Sequence, residues 1–311
     1  MIISLLKSTV IMLLLIVPGF LLRKTKIDNG SLAKGLSNLI LYVMQPAMLM
    51  YSFIVTEFDS RIFKNGIIVL MFSSLAHAVF YIISKFLFKK ADIEKRKVLR
   101  FSAIFSNAGY MGIPLINYIL GAEATIYASV YVISFNLFAY SLGFLIYSED
   151  KKYISIKHIL INPATIPIAI ALLLFVTRVN VMIPSFLSET MEMMKNTVAP
   201  LAMTVVGLRL AETKFDGLFN DKYLYFILVI RHFVFPFILW LAVFCCIKAG
   251  LGISNDASSV LLICASTPVA AATSMFAEKF DGESVYASKI VSISTVVSVI
   301  TMPIMAGLLQ I

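Results

Sequence analysis

Two stretches of this 311-residue chain combine hydrogen-bonding side chains with helix-breaking residues. The first is Phe105-Ser106-Asn107-Ala108-Gly109-Tyr110-Met111-Gly112-Ile113-Pro114. The second is Cys264-Ala265-Ser266-Thr267-Pro268-Val269-Ala270-Ala271-Ala272-Thr273-Ser274. Both interrupt apolar runs. Pro114 lacks an amide donor and obstructs the carbonyl of Tyr110, and Gly109 and Gly112 make unwinding cheaper there. An unwound turn leaves amides free at the start of a half-helix, where the dipole favours an anion such as a carboxylate. A kinked helix packed through small residues is the alternative for either stretch alone. Two such interruptions in corresponding positions point instead to a transport site near mid-membrane.

Other polar residues lie within apolar surroundings. Arg231 sits well inside one such run, beside His232. A central arginine is costly in lipid, so it faces a cavity, a partner or a substrate anion, or else it snorkels to the nearer interface. His77 is a candidate proton relay, with a hydrogen-bonded packing histidine as the alternative. Asn136 is a candidate substrate contact, although it and Gln45 read more readily as helix–helix hydrogen bonds. Ser288, Ser292, Thr295 and Ser298 form a small face suited to close packing. Lys289, one turn into the same helix, snorkels.

Catalysis has little to stand on. No GxSxG, HExxH, GxGxxG or P-loop pattern occurs, and the acidic residues fall almost entirely in polar connections, so no enzyme is expected. Cys245, Cys246 and Cys264 lie in apolar runs without metal-ligand spacing, so neither a metal, a cofactor nor a disulfide is implied.

The elements that position these residues follow from composition. Hydrophobic residues make up 60% of the chain and charged residues only 14%. Soluble domains average about half apolar and about a quarter charged. With a mean hydropathy of +0.93, the chain reads as an all-α polytopic membrane protein. The apolar runs give ten spans. In the first half these are approximately Ile3–Leu22, Leu36–Val55, Gly66–Phe88, Val98–Leu120 and Thr125–Tyr147. In the second they are Ile159–Val176, Phe186–Leu210, Tyr223–Lys248, Ala257–Ala277 and Val285–Leu309. The first run lacks a small-residue cleavage site and ends at Arg23-Lys24-Thr25-Lys26, which fits an uncleaved first helix rather than a signal peptide.

Charge orients the spans. The connections after helices 1, 3, 5, 7 and 9 hold most of the 26 Lys and Arg. The positive-inside rule then places those loops in the cytoplasm and both termini outside, in a cytoplasmic membrane. The net charge of +9 therefore reflects orientation, not nucleic-acid binding, and the Lys85–Arg100 cluster suits lipid headgroups. Ser148-Glu149-Asp150-Lys151-Lys152 divides the chain into residues 1–150 and 151–311, five spans each. Five is odd, so the halves enter the membrane with opposite orientation, as inverted repeats do. Pro46 and Pro200, Pro114 and Pro268, and His77 and Arg231 are each 154 residues apart. Ile126-Tyr127-Ala128-Ser129 is echoed by Val285-Tyr286-Ala287-Ser288.

Together these features resemble the auxin efflux carrier family, in its prokaryotic branch, over essentially the whole chain. The resemblance rests on Val17-Pro18-Gly19-Phe20-Leu21-Leu22-Arg23-Lys24 and on Leu39-Ile40-Leu41-Tyr42-Val43-Met44-Gln45-Pro46-Ala47. It extends through Asn107–Pro114, Thr267–Ala272 and Thr301-Met302-Pro303. It implies two inverted five-helix repeats whose broken helices 4 and 9 cross. Helices 1, 2, 6 and 7 would form a scaffold and homodimer interface, and helices 3–5 and 8–10 a moving transport domain in an elevator-like cycle. Asn107, Pro114, Thr267 and Pro268 would map to the crossover, with a small organic anion beside it: an indole carboxylate in plant members, or a dicarboxylate such as malate or malonate in bacterial ones. Ser106-Asn107-Ala108 departs from the plant pattern, which has a second proline near the asparagine, and this leaves auxin itself open. A sodium-coupled symporter of the bile-acid type is the alternative, but helices 4, 5 and 9 lack the intramembrane carboxylate usual in that class. A non-transporting sensor would need an output domain that the sequence does not contain.

Overall fold

The computed structural model describes residues 2–28, 30–148, 165–212 and 220–308. Among the described residues the chain is helical, and its only β pairing is one isolated antiparallel bridge. Among the described residues five helical stretches are long and apolar enough to cross a membrane: Leu32–Ile54, Ser60–Ser84, Ala108–Ser148, Lys222–Lys248 and Ser284–Met305. The midpoint linker, and with it the 150/151 boundary, lies outside the described residues, as does the start of helix 6, seen from Thr165 to Val176.

The termini of the elements have local causes. Helix 1 covers Ile2–Lys24 and helix 2 begins at Leu32, earlier than its apolar run, because Ala33 is buried one turn before Leu36. Helix 3 begins at Ser60, where the Asp59 carboxylate caps the Arg61 amide at 2.7 Å. Asp221 caps helix 8 (Lys222–Lys248) through Tyr223, and Ser254 caps the Asn255–Ser266 helix through Ala257. Ala108–Ser148 is 41 residues, about 60 Å at the α-helical rise and twice the hydrocarbon thickness. It bends at Gly121, whose φ of 85° is open to glycine and strained for other residues. Helix 4 ends there and helix 5 follows.

Three prolines share a local companion. π-helical turns at Ile40–Met44, Ala108–Gly112 and Ile230–Val234 each precede a proline, Pro46, Pro114 and Pro236, within the first two residues of the next α-helix. The wider turn relieves the clash between the proline ring and the preceding carbonyls.

Helix 1 lies along helix 7 (Ser185–Glu212), and helix 2 packs on both helix 7 and helix 6. The crossing of helices 1 and 7 runs through Gly19 and Gly207: a Cβ on Gly19 would meet the Thr204 carbonyl oxygen, and one on Gly207 the Ile16 carbonyl oxygen. Such backbone-to-backbone approach is the usual source of helix cohesion in lipid. Arg23 ties the two C-terminal ends, bonding Glu212 at 3.3 Å and Asp28 at 3.5 Å. The Ile113–Phe138 helix packs on helix 3, on Asn255–Ser266 and also on helix 2, and helix 10 packs on Asn255–Ser266 and also on helix 1.

Helix ends also sort by side. Asp221, before helix 8, meets Lys95 at the start of helix 4 and Tyr286 at the start of helix 10. Asn180 Nδ2 donates to the carbonyls of Phe53, Ile54 and Thr56 at the end of helix 2, while Asn65 in helix 3 accepts from the Ser254 amide before helix 9.

Candidate functional site

Helices 4 and 9 are both interrupted, and the interruptions meet. The first part of helix 4 is Ile93–Ile104 and the first part of helix 9 is Asn255–Ser266, each 12 residues long. Helix 4 leaves helical geometry at Phe105 (φ −100°, ψ 118°) and helix 9 at Thr267 (φ −63°, ψ 155°). At Thr267 the cause is Pro268, which disfavours the α region for the residue before it. Pro268 also cannot donate to the Cys264 carbonyl, and the Thr267 hydroxyl donates there instead at 2.8 Å. The two extended segments then pair at Ser106 and Val269. Asn107 N–H donates to the Pro268 carbonyl at 2.8 Å, and Ala270 N–H to the Phe105 carbonyl at 3.0 Å. A buried backbone polar group needs a partner, and here each break supplies the other's.

The break in helix 4 differs in position from the sequence expectation. Unwinding was expected at Gly109–Pro114, whereas the extended residues are Phe105 and its neighbours, and Ala108–Gly112 is already a π turn. Pro114 lies just past that π turn, six residues into the continuous stretch Ala108–Ser148, where it cannot donate to a preceding carbonyl. Gly112 serves a close approach: a Cβ there would sit 3.3 Å from Thr267 Cγ2. Gly109 lies against helix 2, and its carbonyl accepts from Gln45 Nε2 at 3.4 Å.

The spacing of 154 also fails to align these breaks. Helices 3 and 8 begin at Ser60 and Lys222, the first parts of helices 4 and 9 at Ile93 and Asn255, 162 residues apart in both cases. Pro114 and Pro268 are therefore not positional equivalents, nor are His77 and Arg231.

Arg231 is 1% exposed and lies beneath the crossing. Its Nη1 donates to the Ala103 carbonyl at 3.1 Å, its Nε to the Thr267 carbonyl at 3.3 Å, and its Nη2 to the Ala265 carbonyl. Two of these carbonyls are orphaned by the crossing. The amide that would serve Ala103, Asn107 N–H, is on Pro268, and the one that would serve Ala265, Val269 N–H, is on Ser294. The guanidinium thus neutralises the negative ends of two half-helices at once.

The remaining sequence candidates are placed as follows. Ser106 is buried, with its hydroxyl facing the Tyr131 side chain. Asn107 is buried, non-helical (φ −79°, ψ 43°), and its side chain makes no cap bond. Asn136 is buried in helix 5 with Nδ2 unpartnered. His77 is buried in a box of Phe105, Tyr131, Phe135 and Phe138. Its Nδ1–H donates to the Ser73 carbonyl at 2.7 Å, which leaves Nε2 bare and unpartnered. The structure thus brings together Ser106, Asn107, Gly112, Thr267, Pro268 and Arg231, and sets His77 beside Phe105 at their edge.

Sequence reasoning passed over three residues. His232 lies between Ser294 and Thr301 of helix 10, 2.9 Å from each hydroxyl. The seven-residue spacing of Ser294 and Thr301 puts them on one face two turns apart, a signal obscured by the neighbouring Ser292, Thr295 and Ser298.

A sequence profile for membrane transport proteins matches residues 4–306. No curated protein matches the chain. With nearly the whole length covered, the chain belongs to the membrane transport protein family, that of the auxin efflux carriers.

Proposed function

We propose that this protein is a secondary transporter of small organic anions, carboxylates or dicarboxylates, working by an elevator-type alternating-access cycle at the crossing of helices 4 and 9. The observation that carries the reading is the antiparallel bridge between Ser106 and Val269, which joins two interrupted helices in the interior of the helical bundle. Irregular backbone at membrane depth is tolerated only against protein or a cavity, and interrupted helices mark substrate sites in transporters.

The substrate class follows from the polarity of the site. Arg231 already occupies the carbonyl ends of the first halves, so the ends left for a ligand are the amide ends at Ala108 and Ala272, which favour an anion. Ser106, Asn107 and Gln45 supply hydrogen-bonding groups beside the first of these, with Asn136 as a further candidate and His77 as the candidate proton relay. Gly109, Gly112 and Pro114 shape the backbone; Thr267 and Pro268 form the opposing wall.

Ten spans in two inverted repeats fit the sorting of helix ends and the recurrence of elements at 162 residues. The body of helices 1, 2, 6 and 7 would be the scaffold and homodimer surface; helices 3–5 and 8–10 would move. Cytoplasmic basic loops and external termini complete the topology. A sodium-coupled symporter is the second reading, and Arg231 weighs against it: a fixed cation holds the carbonyls that would otherwise attract a mobile one.

The test is uptake into proteoliposomes, with and without sodium, of whichever mono- or dicarboxylates raise the melting temperature of the purified protein. Sodium-independent uptake supports the proposal. Strict sodium dependence favours the symporter, and no flux of any stabilising carboxylate removes the anion assignment.

A further inference from the structure

Arg231 and His232 are neighbours in the π turn Ile230–Val234, and both are buried. Arg231 reaches the crossing directly, whereas His232 points to helix 10. There a continuous chain of hydrogen bonds begins at the crossing itself. Val269 N–H donates to Ser294 Oγ at 2.9 Å, and Ser294 Oγ lies 2.9 Å from His232 Nε2. On the other side of the ring, His232 Nδ1 lies 2.9 Å from Thr301 Oγ1, which is 3.2 Å from the Val297 carbonyl.

Donor and acceptor counting fixes the direction. A serine hydroxyl has one hydrogen and two lone pairs, and a neutral imidazole has one donor and one acceptor nitrogen. If Nδ1 carries the proton, Nδ1–H donates to Thr301 Oγ1 and Thr301 O–H donates to the Val297 carbonyl. Nε2 then accepts from Ser294 O–H, and Ser294 Oγ accepts from Val269 N–H. Every hydrogen has an acceptor. If Nε2 carries the proton, Ser294 Oγ receives both Nε2–H and Val269 N–H. The Ser294 hydroxyl hydrogen then has no acceptor among the described residues, and either Thr301 O–H turns from Val297 to Nδ1 or Nδ1 is left bare. A charged imidazolium strands the Ser294 hydrogen in the same way, beside the Arg231 guanidinium. Buried unmet hydrogens are costly, so the neutral Nδ1–H tautomer is selected.

We infer that His232 is a positioning residue of the crossing: as the neutral Nδ1–H tautomer it aims the Ser294 hydroxyl so that Ser294 Oγ holds the Val269 amide, which locks the helix 9 break to helices 8 and 10. Val269 is the partner of Ser106 in the bridge, so this lock sets where the helix 9 wall stands against helix 4. Any part it plays in transport rests on the reading of the crossing as the transport site; the tautomer itself does not.

The experiment is nitrogen-15 NMR of histidine-labelled protein in lipid, with the His232 signals assigned by their loss in His232→Gln. Wild type is expected to show Nδ1 protonated and Nε2 as a hydrogen-bonded acceptor. In Ser294→Ala the Nε2 resonance should move to the position of an acceptor without a donor, and in Ser294→Thr, which restores a hydroxyl, it should return. Protonation at Nε2 in wild type would overturn the inference, as would an Nε2 resonance that is the same in all three proteins. Because no substrate is present, this outcome is independent of whether carboxylates are transported.

Discussion

The two extended segments at the crossing are held very differently. The helix 9 segment is gripped from three directions: Arg231 on the Thr267 carbonyl, Ser294 on the Val269 amide, and the helix 4 backbone on Pro268 and Ala270. The helix 4 segment has the reciprocal backbone bonds to helix 9 and Arg231 on the Ala103 carbonyl before it, and beside it Gln45 Oε1 and His77 Nε2 are buried without partners among the described residues. One side of the crossing is built as a fixed wall. The other keeps unused hydrogen-bonding capacity, which is what a ligand-facing surface requires, since buried polar groups otherwise find partners.

Substitutions can break or sharpen this contrast. The largest effect is expected at Arg231. Arg231→Met should lower stability by about 3–5 kcal/mol, because three buried carbonyls lose a charged donor. Thermal unfolding in detergent reads this directly, and a change below about 1 kcal/mol would mean the guanidinium does not hold the half-helices. Gly207→Val should follow at about 1–3 kcal/mol or more, because its side chain enters the helix 1 backbone. That damage lies at the contact of helices 1 and 7, so the His232 resonances should not change. Ser294→Ala should cost about 1 kcal/mol, typical of one interhelical bond in lipid. Ser106→Ala should be the mildest, within about 0.5 kcal/mol, since its hydroxyl faces the Tyr131 side chain and holds no backbone group among the described residues. If Ser106→Ala destabilised as much as Ser294→Ala, the contrast between the two sides would disappear.

Much of the fold was legible. Apolar run length predicted the membrane-length helical stretches Leu32–Ile54, Ser60–Ser84, Lys222–Lys248 and Ser284–Met305, and Gly121 fell between the predicted fourth and fifth helices as a bend of positive φ. Register was harder. Equal proline spacing suggested a repeat of 154, but a proline that starts a half-helix and one that lies in a break leave the same mark in sequence. Pro114 lies past the start of its half-helix and Pro268 in the break itself, while the elements recur at 162. Arg231 was visible as an intramembrane charge, yet its partners are backbone carbonyls orphaned by a pairing between distant helices, which no local pattern reveals. His232 was hidden for the same reason: its partners on helix 10 lie more than sixty residues away.

The central claim is that the crossing of helices 4 and 9 is the path of a small carboxylate, contacted from the helix 4 side. It is tested most directly by sodium-free uptake, in proteoliposomes matched for inserted protein, of the carboxylate that most stabilises the wild type. Asn107→Ala should insert and melt like the wild type while its uptake falls roughly tenfold or more, the loss of about 1.4 kcal/mol of transition-state stabilisation. Wild-type uptake by Asn107→Ala would contradict the account.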